Sequence, residues 1–216
     1  MDLSKQIAEQ LERGDEGAVA ELTRTAIRQG LDPRRILDAG LIAGMATVGE
    51  RFKAHEIFLP DVLLAARAMV AGMEELKPLL VRAGIPALGK VVLGSVQGDL
   101  HDIGKNLVAV MLRGAGFEII DLGSDVAPER FVAAAREQGA AVIGLSALLT
   151  TTMPIMKQVV DLLHREAGNS IKVIVGGAPV SAAFAREIGA DAYGYDAAHA
   201  VDQVKALIGA RDARAR

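Results

Sequence analysis

The chain has 216 residues, of which 51% are hydrophobic and 3% aromatic, so its length suits one compact domain or two small ones and its core must be aliphatic. Cysteine is absent, which excludes disulfides, thiolate catalysis, iron–sulfur clusters and cysteine-ligated zinc and agrees with a reducing cytoplasm. The net charge is -3, the first residues lack a signal-peptide pattern, and no uncharged apolar run reaches the ~20 residues of a membrane helix, so we expect a cytoplasmic protein without nucleic-acid or membrane partners.

The first part of the chain, residues 1 to about 83, has the hydrophobic spacing of helices. Apolar residues recur every three or four positions in the stretches 3–11, 19–27, 36–52 and 62–76. Gly30 ends the second stretch, Asp32 and Pro33 supply an N-cap and a first helical residue for the third, and Pro60 opens the fourth. Four helices with short connections predict an antiparallel bundle.

A connector that contains glycine and proline, residues 82–89, separates this part from the rest and predicts two domains, 1–85 and 86–216. Beyond it, short apolar runs alternate with helical patterns. The runs are 91–96, 117–122, 141–146, 171–175 and a weaker one near 192–195, and the helical patterns are 103–114, 128–138, 153–166, 181–188 and 198–209. This alternation predicts βα units on a parallel sheet that is covered on both faces.

The segment after the first apolar run carries a histidine, His101, with Asp99 two residues before it and Gly104 three residues after it. This strand-to-helix loop is predicted to lie at the carboxyl ends of the strands, where open α/β sheets bind ligands. A histidine there can give one ring nitrogen to a metal while the other donates to a carboxylate. Taken singly, each residue also has a plain structural explanation: an exposed histidine, a turn aspartate, and a glycine that lets the helix pack on the sheet.

The ends of the other predicted strands carry small and polar residues. Ser146 to Thr152 follow the third strand, Gly176, Gly177 and Ala178 follow the fourth, and Tyr193 to Ala197 lie at the last. Glycines allow a ligand to approach the backbone closely. The alternative is that the threonines cap a helix and the glycines turn the chain, but these features recur at successive strand ends and together favour a ligand site.

The spacing Asp-x-His-x-x-Gly closely resembles the cobalamin-binding signature of corrinoid methyl carriers and of the cobalamin module of methionine synthase. The resemblance extends over residues 2 to about 209. Residues 48–52 and 58–60 are similar to the helical cap of these proteins, and residues 150–154 look most like the free-standing corrinoid proteins of methylamine, methanol and methoxyaromatic metabolism. The implied fold is α/β, a Rossmann-like (flavodoxin-type) doubly wound parallel sheet preceded by an N-terminal four-helix bundle cap.

The resemblance implies that cobalamin binds base-off, with its own lower base displaced and His101 as the cobalt ligand. Asp99 would accept the other imidazole N–H, and Thr152, which replaces the serine of methionine synthase, would be the third member of this relay. The implied cofactor contacts in the sheet domain are Gly98, Asp99, Leu100, His101, Asp102, Ile103, Gly104, Ser146, Leu148, Thr150, Gly176, Gly177, Ala178, Tyr195 and Ala197.

In the helical part, the resemblance implies that Phe52 and Leu59 shield the methyl group, that Val62 lies one turn further along, and that Asp38 faces the corrin amides. The alternative is that Phe52 belongs to the ordinary core of the bundle, as most aromatic residues in helices do. Aromatic residues are only 3% of this chain, so Phe52 and Phe58 on either side of one turn favour the cap interpretation.

The implied function is that of a methyl carrier rather than a complete enzyme. A Co(I) corrinoid would take a methyl group from a methylamine, methanol or methoxyaromatic donor held by a substrate-specific methyltransferase. The methylcobalamin form would then pass it to a second methyltransferase that serves tetrahydrofolate or coenzyme M, and a reductive activase would restore Co(I). The sequence names neither the donor nor the acceptor.

Three other functions are alternatives to this interpretation. A cobalamin subunit of an adenosylcobalamin-dependent mutase would place a barrel, not a helical bundle, over the cofactor. A cobalamin-based sensor would need a DNA-binding domain, for which 216 residues leave no room beside bundle and sheet. A flavin or nucleotide module is disfavoured because neither a G-x-G-x-x-G nor a G-x-x-x-x-G-K-[ST] sequence is present.

Overall fold

The computed structural model describes residues 2–167 and 170–214. The chain divides into two compact units, Met1–Ala87 with Gly114–Gly116, and Leu88–Arg113 with Phe117–Arg216. The first is helical and the second combines a sheet with helices.

The helical unit contains the predicted bundle of four helices. Its segments are α1 (Leu3–Glu12), α2 (Glu16–Arg28), α3 (Pro33–Arg35), a π-helical segment (Ile36–Ile42), α4 (Ala43–Lys53) and α5 (Leu59–Arg82). Because α3, the π-helical segment and α4 run end to end with helical backbone angles at both junctions, they form one continuous helix. Asp2, Asp15 and Asp32 begin three of the helices as N-caps, each accepting a backbone N–H.

Two glycines let α1 approach this long helix closely. A Cβ at Gly40 would lie 3.2 Å from Cγ2 of Ile7, and a Cβ at Gly44 would lie 2.9 Å from the carbonyl oxygen of Ala8. The wider π geometry over Ile36–Ile42 was not predicted, because a hydrophobic repeat defines which face of a helix is buried and not its hydrogen-bond pattern.

The second unit is a five-stranded parallel sheet with flanking helices. Its strands are β1 (Lys90–Ser95), β2 (Glu118–Asp121), β3 (Val142–Ser146), β4 (Lys172–Gly176) and β5 (Ala192–Gly194), and its helices are α6 (Ile103–Gly114), α7 (Pro128–Gln138), α8 (Met153–Ala167), α9 (Ala182–Glu187) and α10 (Ala197–Arg214). The strand order is β2-β1-β3-β4-β5 with all pairs parallel. This is the flavodoxin-type order, so the predicted fold class is confirmed.

The core of this unit is aliphatic apart from a few phenylalanines. The inner strands β1, β3 and β4 are buried almost throughout, as expected for a sheet covered on both faces. Phe131 of α7 is fully buried, and Gly94 in β1 makes room for it, since a Cβ there would lie 2.7 Å from the ring. None of the helices in the described ranges is long and apolar enough to span a membrane.

The strand order positions the site. The chain passes from β1 to β2 on one side and from β3 to β4 on the other. The loops that follow the neighbouring strands β1 and β3 therefore lead in opposite directions. The crevice between two such loops is where sheets of this type bind ligands.

Candidate functional site

Asp99 connects the two loops that border this crevice. It lies in the loop after β1, is fully buried, and accepts five hydrogen bonds. Oδ1 accepts from the backbone N–H of His101 at 3.0 Å and contacts its ring Nδ1 at 2.8 Å. Oδ2 accepts from the backbone N–H groups of Leu148 and Leu149 and from the hydroxyl of Thr152, all in the loop after β3, at 2.7, 3.2 and 2.9 Å.

This hydrogen bonding keeps the carboxylate of Asp99 charged although it is buried. Burial is the largest single influence and raises the pKa of Asp99. The backbone N–H groups of Leu148 and His101, the His101 ring and the Thr152 hydroxyl together outweigh burial and hold that pKa well below its usual range. Asp99 is therefore a fixed, charged acceptor.

The ring of His101 is held by one nitrogen and is 52% exposed. Because an ionised carboxylate can only accept, Nδ1 carries a proton in the contact with Asp99, and Nε2 is the ring nitrogen that this contact leaves available. The backbone carbonyl of His101 accepts from the hydroxyl of Ser95, a fully buried residue at the end of β1, at 2.6 Å. The loop thus presents an imidazole whose Nε2 has no hydrogen-bond partner among the described residues and lies outside the protein core.

Large apolar side chains that follow the strands of the sheet face solvent. Leu100 is 75% exposed and Ile103 77%, and Leu148, Leu149 and Tyr195 at other strand ends are also exposed. Exposed apolar residues that recur at one edge of a sheet are typical of a binding surface. At Gly104, in the first turn of α6, a Cβ would meet nothing within 4 Å, so this glycine is not required for packing inside the protein.

The glycines after β4 serve the close approach of two backbones. A Cβ at Gly177, which has φ +131°, would lie 1.9 Å from the carbonyl oxygen of Ala147, and one at Gly176 would lie 2.9 Å from that of Gly194. The structure therefore gives these two glycines a packing role in the sheet itself. Gly98, with φ +83°, has the left-handed backbone that glycine adopts most readily.

The remaining predicted residues of the sheet unit differ in accessibility. Thr150 and Ala178 are exposed, Ser146 and Asp102 are half-buried, and Ala197 is buried. Asp102 accepts from the side-chain amide of Asn106, and Tyr195 stacks on His199 with ring centroids 4.2 Å apart. All of them lie at or next to the carboxyl ends of β1, β3, β4 and β5.

The four predicted residues of the helical unit do not share one environment. Phe52 and Leu59 are half-buried, and Phe58 between them is 68% exposed. Asp38 is exposed in the π-helical segment and pairs with Arg34. Val62 is fully buried, as residues of a bundle core are, and a role for it toward a cofactor stays a prediction.

The contribution of β2 was not predicted from the sequence. The predicted site residues follow the other four strands, yet Asp125 in the connection after β2 accepts from the N–H of Gly98 at 2.7 Å. Lys105 of α6 is buried, and its ammonium contacts both carboxylate oxygens of Asp121, at the end of β2, at 2.7 Å. Burial raises the pKa of Asp121, but the hydrogen bonds from Lys105 and from the N–H of Gly123 lower it by more, so the net shift of this pKa is downward. Asp121 and Asp125, two acidic residues at and after the end of β2, were the sequence feature that could have indicated this contribution.

Comparisons with known proteins identify the family of the chain. Residues 89–203 match the B12 binding domain family, and residues 3–77 match a second family with the same description. The chain is 43% identical to a corrinoid protein of Desulfitobacterium hafniense, over 97% of this chain and 99% of that protein. It is 47% identical to dimethylamine corrinoid protein 1 of Methanosarcina acetivorans, over 82% of this chain and 84% of that protein.

The fold is similar to that in the crystal structure of the methanol:cobalamin methyltransferase complex MtaBC from Methanosarcina barkeri. The TM-score is 0.85 at 35% sequence identity, and the similarity covers 98% of this chain and 84% of that chain. The chain therefore belongs to the family of corrinoid proteins with B12 binding domains.

Proposed function

We propose that this chain carries methyl groups on a bound cobalamin, with the imidazole of His101 as the lower axial ligand of cobalt in place of the cofactor's own base. It serves as the carrier between two separate methyltransferases. The observation that carries the proposal is the pairing of a buried, charged Asp99 with an exposed His101, which leaves Nε2 unpaired at the crevice of the sheet.

The residues present fit this cofactor. In the described part of the chain no three His, Cys, Asp or Glu side chains lie together as a metal site, so His101 would be a single protein ligand. A corrin would bring most of the cobalt ligands itself and would need a single further ligand from the protein, which His101 would provide. Its broad face also requires an accessible surface with apolar groups, which the exposed side chains of Leu100 and Ile103 and the open space at Gly104 provide.

Bound cobalamin supplies the chemistry, because its cobalt accepts and releases the methyl group. The chain controls the tautomer and the orientation of the His101 imidazole. Asp99 would fix the Nδ1–H tautomer of His101, so that Nε2 would be the nitrogen that faces the metal. Thr152 and the backbone N–H groups of Leu148 and Leu149 fix Asp99 in turn. The orientation of the imidazole is therefore set before any cofactor arrives.

We assign residues 1–85 to a cap and residues 86–216 to the cobalamin domain. Phe52 and Leu59, which are only half-buried, are the cap residues that would exclude water from the methyl group. Val62 would support them from the interior, and Asp38 would interact with the polar amides at the rim of the corrin.

We infer the methyl donor from the relatives and from the family's division of labour. The relatives include corrinoid proteins for dimethylamine and trimethylamine at 44–47% identity, which favours a methylamine donor over methanol or a methoxyaromatic compound. The partners would be a methyltransferase specific for that donor, a second one delivering to tetrahydrofolate or coenzyme M, and a reductive activase.

The proposal is tested by reconstitution with hydroxocobalamin. We expect about one corrin per chain to stay bound through gel filtration, with the absorption spectrum of a base-off corrin ligated by imidazole. His101→Ala should lose the imidazole-ligated spectrum but retain part of the cofactor, because ligation and burial of the nucleotide tail are separate contributions. A folded wild-type protein that binds no corrin, or a His101→Ala variant with the wild-type spectrum, would contradict the proposal.

A further inference from the structure

Asp125 has an unusual backbone and an unusual hydrogen bond. Its φ of +55° is in the left-handed region, and His55 is the other non-glycine residue with positive φ in the described ranges. An aspartate in such a turn commonly accepts from a backbone N–H two residues further along. Oδ1 of Asp125 instead accepts from the N–H of Gly98, 27 positions earlier in the chain, at 2.7 Å.

Asp125 contacts the same short stretch of the His101 loop twice. Its carboxylate accepts from the N–H of Gly98, and its own N–H donates to the carbonyl oxygen of Asp99 at 3.0 Å. These two groups are the first N–H and the last carbonyl of the dipeptide Gly98–Asp99. Asp125 therefore fixes the backbone that carries the Asp99 carboxylate. That carboxylate in turn contacts the His101 ring.

The connection that carries Asp125 is itself fixed. The N–H of Val126 donates to the carbonyl of Ser95 at 3.0 Å, and the N–H of Ser95 donates to the carbonyl of Gly123 at 2.9 Å. At the end of β2, Asp121 holds the buried ammonium of Lys105, which belongs to the helix that follows His101. Both sides of the His101 loop are thus bound to the segment formed by β2 and its connection.

We propose that Asp125 is a positioning residue for cobalt ligation: it fixes the dipeptide Gly98–Asp99 so that the Asp99 carboxylate lies where it orients the His101 imidazole. The inference rests on the proposed ligation of cobalt by His101. It adds Asp125, in the connection after β2, to the Asp99–His101–Thr152 relay. The affinity of the imidazole for cobalt would depend on this residue as well. An exposed aspartate that only formed a turn would have no influence on the cobalt ligand.

The test uses the full chain, reconstituted with hydroxocobalamin that is then reduced to the Co(II) form. Electron paramagnetic resonance detects an axial nitrogen ligand by its splitting of the cobalt lines, and spectroelectrochemistry gives the Co(II)/Co(I) midpoint potential. Asp125→Gly removes the carboxylate but tolerates the positive φ, and Asp125→Ala removes the same acceptor and gives a second estimate if the glycine variant folds poorly. Asp125→Asn keeps an acceptor oxygen. His55→Gly is the matched control, because it relieves the same backbone conformation in the helical unit.

We expect Asp125→Gly to weaken imidazole ligation about tenfold, the lower range for loss of an outer partner of a metal ligand. A larger fraction of Co(II) would then lack the nitrogen splitting, and the midpoint potential would rise, since Co(II) gains more from an axial ligand than Co(I). Asp125→Asn should restore most of the splitting, and His55→Gly should match the wild type.

Two results distinguish the inference from the function on which it rests. Nitrogen splitting in the wild type that persists undiminished in folded Asp125→Gly and Asp125→Ala would overturn the positioning role alone. Absence of the splitting in the wild type, with corrin bound, would overturn ligation by His101 and this inference with it.

Discussion

Replacing Asp99 by asparagine changes one atom of a buried, fully bonded carboxylate and so tests the relay with little change in shape. The amide oxygen should occupy the position of Oδ2, because Leu148 N–H, Leu149 N–H and the Thr152 hydroxyl all need an acceptor there. The amide nitrogen then lies where Oδ1 was, against the backbone N–H and the Nδ1 of His101.

Two costs follow from this arrangement. The backbone N–H of His101, in a part-buried hydrogen bond, loses its acceptor, which costs up to ~1–3 kcal/mol. The amide also donates to Nδ1, which favours the tautomer protonated at Nε2, and that tautomer cannot ligate a metal through Nε2. In the variant, the ligating tautomer lacks the charge-assisted hydrogen bond of about 1.5–3 kcal/mol that stabilises it in the wild type, so ligation should weaken about 10- to 100-fold.

The assay is a pH titration of the reconstituted protein, followed by the absorption change when imidazole leaves the cobalt. We expect the pH of that transition to rise by about one to two units in Asp99→Asn, since each tenfold loss of affinity is one unit. Asp191→Asn is the control, because Asp191 also accepts a backbone N–H and binds a lysine, but before β5, at the other edge of the sheet. A transition at the wild-type pH in Asp99→Asn, with corrin bound, would refute the relay.

The same substitution predicts a change in the acid stability of the protein without cofactor. The folded pKa of Asp99 is lowered from 3.8, so its contribution to stability is fully present above about pH 4 and is lost as the pH falls toward the folded pKa. The difference in unfolding free energy between wild type and Asp99→Asn should therefore be largest at neutral pH and shrink on acidification. Urea unfolding at a series of pH values measures it, and a difference independent of pH would contradict a charged Asp99.

Three further predictions concern other parts of the site. Thr152→Ala removes a hydroxyl that lies 2.9 Å from both Oδ2 of Asp99 and the carbonyl oxygen of Leu149, at a cost of about 0.5–1.5 kcal/mol. It should shift the same ligand transition less than Asp99→Asn, whereas Thr152→Ser should restore it. Phe52→Ala and Leu59→Ala should leave corrin affinity nearly unchanged but speed photolysis of bound methylcobalamin; wild-type rates under identical light would return both residues to the bundle core. Gly104→Ala should preserve or raise the unfolding free energy, by up to ~1 kcal/mol, and weaken corrin binding, because its methyl group enters open space. Gly177→Ala, where a Cβ would lie 1.9 Å from a backbone oxygen, should destabilise the fold itself; equal stabilities in a thermal melt of the two alanine variants would contradict this assignment.

Much of the fold could be predicted because glycine, proline and charged residues punctuate the apolar runs. The helical patterns 103–114 and 128–138 coincide with α6 and α7, and all five strands agree with the predicted runs within one residue at each end. The strand order was expected from a family resemblance, since single strands do not encode their neighbours. The π-helical segment was not predictable, because hydrogen-bond register leaves no trace in hydrophobic spacing.

The candidate site was predictable only in part, for a related reason. Asp99 and His101 are two residues apart, so their contact is a local property of one loop. Asp99 also contacts Leu148 and Leu149, which are 49 and 50 positions away in another loop. These contacts use backbone N–H groups, which cannot be predicted from the residue type. Asp125 was missed because its role depends on β2 lying next to β1, which becomes visible only in the assembled sheet.

Ligation of cobalt by His101 can be tested by electron paramagnetic resonance of the Co(II) form after incorporation of histidine labelled with the heavier stable isotope of nitrogen. We expect the splitting of the cobalt lines to change from a triplet to a doublet on labelling and to disappear in His101→Ala. A triplet that is unaffected by the label would show that the nitrogen belongs to the cofactor's own base, and it would contradict ligation by His101.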